Sequence, residues 1–184
     1  MSTVALNSVY DIFNNYEVNY AALMERKEIS FANDYKSQSA KVALLACASF
    51  FEGQIREEIL EILSTNSCDL TRNFIIKKSL ARQYHTFFDW KCSNANCFFG
   101  LFGDEYKEYV QSRIKSDTIL CQSIKDFLEL GALRNKLAHD NYATFSLELT
   151  VENIKDKFQS ALEFVKIIKP LSDDFKKQRG HPKC

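Results

Sequence analysis

Apolar positions recur at intervals of three and four along most of this chain, the spacing that keeps one face of an α-helix apolar. Between Ser8 and about Lys27 the pattern runs through Val9, Ile12, Phe13, Tyr16, Tyr20 and Leu23. Ser39 to Leu63 carries the clearest stripe, Leu44, Cys47, Phe51, Ile55, Ile59 and Ile62, and ends at the polar loop Ser64-Thr65-Asn66-Ser67. Asp69 to Phe88, with Leu70, Phe74, Ile75, Leu80 and Phe87 beside Lys77, Lys78 and Arg82, predicts a further helix with a break in it. Residues 89–103 (DWKCSNANCFFGLFG) interrupt the pattern with two Gly, two Asn and a knot of aromatics, and predict an ordered loop. Asp104 then serves as N-cap or first-turn acid of a short helix through Arg113. Ser116 or Asp117 starts the next helix, whose apolar set is Ile119, Leu120, Ile124, Phe127, Leu128 and Leu130. It runs on to His139 and gives way to the polar loop Asp140-Asn141-Tyr142-Ala143-Thr144. Thr150 caps a last helix through about Lys169, and Pro170 is expected to stop it. Only Phe145 to Leu149 alternates as a strand would. The prediction is an all-α bundle of about five to seven helices, with one domain over 1–170 and a polar, basic tail over 171–184.

Composition narrows the class. A chain of 184 residues makes one domain, and a domain of about this size buries roughly 70% of the surface its unfolded chain exposes. Fifteen Phe and eight Tyr supply bulky core material, and five Gly with two Pro are too few for a turn-rich sandwich or barrel. Lys+Arg and Asp+Glu balance at 24 each, so the whole surface is no general polyanion binder and any nucleic-acid contact must come from a local patch. The start MSTVALNSVYDIF lacks the basic and apolar regions of a signal peptide, and no apolar run reaches the ~18 residues of a membrane span. A cytoplasmic protein with reduced thiols is expected. Cys47 and Cys121 read as small core fillers. Cys92 and Cys97 have the spacing of half a zinc site, but His85 and Cys68, the nearest further ligands, bring no close partner. No cofactor or metal is expected.

The focused chemical signal is RNKLAH, Arg134 to His139, at the end of a helical stretch. Histidine exchanges protons near neutral pH, and the flat guanidinium of arginine fits phosphate oxygens. Five residues at about 100° each make about 500°, so on a regular helix the two side chains point about 140° apart. Either the helix ends or kinks before His139, or the two groups meet partners from elsewhere. A His at a helix C-terminus is favoured in its charged form by the last carbonyls. Such a pair suits metal-independent RNA cleavage. A base takes the ribose 2′-OH proton, an acid protonates the leaving oxygen, and a cation stabilises the phosphorane. His139 serves as base or acid and Arg134 as the cation. Asn135 can hold a phosphate oxygen or ribose hydroxyl, and Lys136 the RNA backbone. The competing reading makes Arg134 a solvated charge and His139 a helix cap.

An R-x4-H motif with a polar residue directly after the Arg, late in an all-α domain, resembles the HEPN superfamily (higher eukaryotes and prokaryotes nucleotide-binding). The text LRNKLAHDNYATFSLELTVENI, and SFFEGQIREEILEIL from Ser49 to Leu63, resemble its RiboL-PSP-HEPN branch. The resemblance implies a homodimer whose composite cleft presents both copies' Arg134, Asn135 and His139 to one RNA strand. It also implies a role in toxin–antitoxin or antiphage defence, with an antitoxin or neighbouring defence protein as partner. One toxin group of the superfamily carries, two residues after the His, a Tyr that its antitoxin modifies. Here position 141 is Asn and the tyrosine is Tyr142, which can still line the cleft.

Glu52, on the edge of the Ser39 to Leu63 stripe, can orient Arg134 as a carboxylate partner; its ordinary alternative is an i,i+4 pair with Arg56. Glu129 is a second carboxylate candidate. Lys77, Lys78 and Arg82 can flank the RNA backbone, or form a solvated helix face. Trp90, Phe98, Phe99 and Phe102 can stack bases, against the reading that they pack a core or a dimer contact. The rival functions are a HEPN module that binds RNA or nucleotide without cutting, and an antitoxin or interaction protein.

Overall fold

The computed structural model describes residues 3–64 and 68–179. Among these, eight α-helices and one π-helical turn follow in order, with no strand. They are α1 (Thr3–Glu25), α2 (Ile29–Ser64), α3 (Asp69–Ile75), the π-turn Ile76–Leu80, α4 (Tyr84–Phe87), α5 (Asn96–Gly100), α6 (Asp104–Lys115), α7 (Thr118–His139) and α8 (Val151–Gln178). The all-α class predicted from periodicity is the class observed. Phe145, Leu147 and Leu149 tuck against the core from an irregular segment instead of pairing as a strand.

The bundle is organised by α2, α7 and α8, which pack on one another, while α1 lies along α2. Their meeting point is a chain of rings: Phe51 of α2 lies 5.3 Å from Phe127 of α7 and 5.1 Å from Phe158 of α8, and Phe127 lies 5.0 Å from Phe164. All four are essentially fully buried. Each such ring withdraws roughly 150–250 Å² from water, so this cluster is a large share of what holds the bundle closed.

Helix boundaries follow local chemistry. Asp117 caps α7 by accepting a hydrogen bond from the Leu120 N–H at 2.9 Å. Thr150 caps α8 in a reciprocal box with Asn153. α2 begins ten residues before the expected Ser39, because Ile29–Gln38 is polar enough to hide its period yet continues the helix along α1. Thr65, Asn66 and Ser67 of the expected loop lie outside the described residues. The predicted break after Asp69 occurs at Ile76, where the Ala81 N–H reaches back five residues to the Ile76 carbonyl at 3.0 Å. Arg82 follows with φ of 60°. The aromatic loop contains α5, whose Phe98 and Phe99 are buried.

Pro170 does not stop the last helix. α8 runs through it to Gln178, and the expected polar, basic tail is, up to that residue, a docked helix continuous with the domain. Interior proline costs about 3 kcal/mol through its missing N–H and ring clash. The ring here faces solvent, and the turns beyond it bury Leu171 and pack Phe175 on Tyr106 and Tyr109 at 5.2 and 5.3 Å. Burial at roughly 1.5–3 kcal/mol per large apolar side chain offsets that cost. The Lys176 ammonium donates to the Ile62 carbonyl at 3.1 Å, and Arg179 pairs with Glu105. Residues 180–184 lie outside the described residues.

Candidate active site

The last two turns of α7 emerge from the core into solvent. Leu130 and Leu137 are buried, Arg134 and Asn135 are half-buried, and Lys136 and His139 are exposed. α7 stays regular through His139. The Asp140 N–H closes it on the Lys136 carbonyl at 2.9 Å. The helix therefore neither ends nor kinks early, and Arg134 and His139 point about 140° apart. On this helix alone the two side chains do not converge.

Across from the motif, α2 presents Glu52. Its carboxylate stands 3.8 Å from an Arg134 guanidinium nitrogen, each side chain about a third exposed (34% and 35%). Glu52 thus faces Arg134, not Arg56, but at this distance the link is an ion pair without a hydrogen bond, and such a half-exposed pair adds little stability. The other guanidinium arm donates to the Asn135 Oδ1 at 3.2 Å. The remaining Arg134 donors find no acceptor among the described residues. Tyr84 of α4 lies beside this pair: burial, reinforced by the Glu52 charge and opposed by Arg134, pushes its hydroxyl well above the usual tyrosine range. It therefore stands as a neutral phenol at the foot of the site.

Close packing sets where this end of α7 sits. Gly131, one turn before Arg134, faces the ring of Trp90, and a Cβ there would overlap the indole. Trp90 is held in turn by its Nε1–H, which donates to the His85 carbonyl at 2.9 Å, and by Tyr84 and Phe88 at 5.5 and 5.2 Å. Only glycine lets the helix approach so near.

Sequence reasoning missed Lys41. It is 3% exposed, yet its ammonium has no carboxylate partner among the described residues. It donates instead to the Tyr142 carbonyl at 2.9 Å and lies 5.0 Å from the centre of the Tyr142 ring. Its signal was visible: in AKVALLACASFF it is a lone cation at the register of the buried stripe. Tyr142 is 41% exposed, three residues beyond His139, in a loop where the Asn141 side chain and carbonyl accept from the Ala143, Thr144 and Phe145 amides.

Other candidates fall elsewhere. Glu129 bonds Lys157 at 2.8 Å and is not a partner of Arg134. Phe98 and Phe99 are core residues, Phe102 packs on Phe98 and Tyr106, and Trp90 is wedged among rings, so these aromatics are not a free stacking platform. Lys77 and Lys78 are exposed on the π-turn, and no contact joins them to the motif. The Cys92 thiol donates to Asp89 at 3.0 Å. No cluster of three or more His, Cys, Asp or Glu able to hold a metal occurs among the described residues. A cavity of about 270 Å³ beside Lys136 is lined by Glu129, Leu133, Phe145 and Leu147. Arg134, Asn135 and His139 are not among the residues that line it. No helix among the described residues is long and apolar enough to cross a membrane.

Neither curated proteins nor solved structures contain a match to this chain. The family model RiboL-PSP-HEPN matches residues 10–171, which takes in all of α2, α7 and the loop between α7 and α8. The chain belongs to the RiboL-PSP-HEPN family.

Proposed function

We propose that this protein is a metal-independent endoribonuclease that cuts single-stranded or loop RNA, acting as a toxin or antiphage defence effector. The observation that carries the reading is Arg134, with donors unmet among the described residues, steered by Glu52 and Asn135 and followed on the same helix end by an exposed His139, in a chain of this family. Arg134 is a phosphate-shaped donor with capacity left over.

The chemistry divides among these groups. One His139 imidazole takes the proton of the ribose 2′-OH. The 2′-oxygen attacks the adjacent phosphorus, the bond from phosphorus to the 5′-oxygen breaks, and a second imidazole, already protonated, gives its proton to that oxygen. The products are a 2′,3′-cyclic phosphate and a 5′-hydroxyl. Arg134 neutralises the charge that builds on the phosphorane oxygens, Asn135 holds a phosphate oxygen or ribose hydroxyl, and Lys136 steadies the backbone. Because Arg134 and His139 diverge on one helix, a symmetric dimer that pools both copies' groups supplies the missing acid. An antitoxin or a neighbouring defence protein would be the further partner.

The same divergence favours a second reading, in which the domain binds RNA or nucleotide without cutting it. Wild type and His139→Ala incubated with a mixed RNA pool in excess EDTA separate the two. Cleavage by wild type alone, leaving cyclic phosphate ends, is the expected result. A folded dimer that binds RNA and leaves it intact would assign the domain to binding.

A further inference from the structure

We propose that Lys41 is a positioning residue for His139, an inference that rests on the ribonuclease reading above. Ammonium groups are seldom buried without a carboxylate, because desolvation is expensive unless the charge is met by strong acceptors. Lys41 is buried, and both groups that meet its charge belong to Tyr142: a carbonyl at 2.9 Å and a ring at 5.0 Å. Its position is thus explained by what it holds. What it holds is the backbone just past the end of α7.

Lys41 and Glu52 also share a face of α2. Eleven residues separate them, about 1100° or three turns plus 20°, and about 16.5 Å along the axis. Glu52 meets α7 at Arg134 and Lys41 meets the chain at Tyr142. One rigid helix therefore grips the motif on both sides, with His139 between the grips. Segment 140–149 forms no helix or strand. Its own hydrogen bonds, from the Ala143, Thr144 and Phe145 amides to Asn141, close a local turn, and the bond that ties this turn to α2 is the one from Lys41. Helix ends fray when nothing ties them. A group misplaced by about 1 Å can lower a rate about a hundredfold. Lys41 sets where the imidazole stands, without touching RNA.

The test compares wild type with Lys41→Met, which keeps the apolar stem and removes the charge, Lys41→Arg, which keeps a cation, and Tyr142→Ala, which removes the ring from an exposed position. The imidazole ¹H–¹³C resonance of His139 is followed with His85 as internal control, together with amide exchange over Asn141–Phe145, single-turnover cleavage and RNA affinity. For Lys41→Met, the His139 resonance should move while His85 stays, and the loop amides should exchange faster. Its cleavage should fall about ten- to a hundredfold with affinity within about twofold of wild type. Lys41→Arg should recover most of the rate, and Tyr142→Ala should move the His139 resonance in the same direction by less. If Lys41→Met does not fold, Tyr142→Ala decides by the same resonance. An unmoved His139 resonance and unchanged exchange overturn the proposal, as does a loss that lies wholly in RNA affinity. If wild type cuts no RNA, the ribonuclease reading falls, and the resonance still tells whether Lys41 sets His139.

Discussion

α7 carries two links between a carboxylate and a cation, and they are built differently. In its middle, Asp126 and Glu129 both take the Lys157 ammonium, at 3.0 and 2.8 Å, and Asp126 also accepts from Gln122 at 3.1 Å. The Asp126 side chain is 7% exposed. This clasp joins α7 to α8 with short bonds that use up the charges on both sides, and it raises the Lys157 pKa despite burial of that group. Two turns on, Glu52 faces Arg134 at 3.8 Å with neither group fully used and both open to solvent. A closed clasp contributes to folding and offers a ligand nothing. A loose one adds little to stability and leaves donors available. The difference separates the part of α7 that builds the bundle from the part that can do chemistry.

Exchanging the two links in function would break this comparison. Arg134→Ala is expected to slow cleavage about a hundred- to a thousandfold by removing phosphorane stabilisation, with Tm within about 2 °C of wild type, since the lost ion pair is worth under about 1 kcal/mol. Lys157→Met should do the opposite. It leaves Asp126 buried with only the Gln122 amide, a loss on the order of 2 kcal/mol, and lowers Tm by about 4–8 °C in a chain of this size. Cleavage measured below that transition should stay within about twofold. Thermal melts beside single-turnover rates read both. A folded but inactive Lys157→Met, or an unfolded Arg134→Ala, would show that the two ends of α7 are not separable.

Gly131 lies between the two links and sharpens the boundary. Alanine gains about 1 kcal/mol of helix propensity over glycine, so at an open position Gly131→Ala would stabilise. Here the added methyl meets the Trp90 ring, and overpacking costs about 1–3 kcal/mol. The expected net result is a Tm lowered by a few degrees. Trp90 is the only tryptophan, so its displacement reports directly as a red-shifted emission. A more stable protein with unchanged emission would mean that the indole is free to move and that Trp90 does not fix this end of α7.

How much of this was legible in the sequence follows the same division. The core was readable because burial leaves a period: Phe51, Ile55, Phe127 and Phe158 all sit where three-and-four spacing puts them. Arg134, Asn135 and His139 were readable because their types and crowding carry chemistry on their own. Three things were not. Pro170 reads locally as a stop, and only the packing of Leu171 and Phe175, a long-range effect, carries the helix past it. Glu52 had two candidate partners, and the register of α2 against α7 decided between them. Lys41 stood visibly on the apolar stripe of α2, but that a loop a hundred residues away buries it and takes its ammonium leaves no local pattern. Side chains that act through distant backbone are the ones a periodicity reading passes over.

The smallest expected effect concerns the segment farthest in character from the clasp. Lys77 and Lys78 are exposed on the π-turn, and neither has an ion-pair partner among the described residues. From Leu70 to Phe88 the chain has four Lys and Arg and no Asp or Glu. If RNA leaving Arg134 crosses this face, each lysine contributes a phosphate contact and nothing to the chemical step. The double variant Lys77→Ala/Lys78→Ala should then weaken RNA binding only a few-fold near physiological salt. The slope of log affinity against log salt should become shallower by about 1.4, at ~0.7 per contact on a single strand. The cleavage rate at saturating RNA should be unchanged, because these ammonium groups lie outside the bond-breaking centre. An unchanged slope would make the pair a solvated face. A changed saturating rate would extend the reactive surface from the end of α7 onto the π-turn, and the contrast between holding and reacting regions would have to be redrawn there.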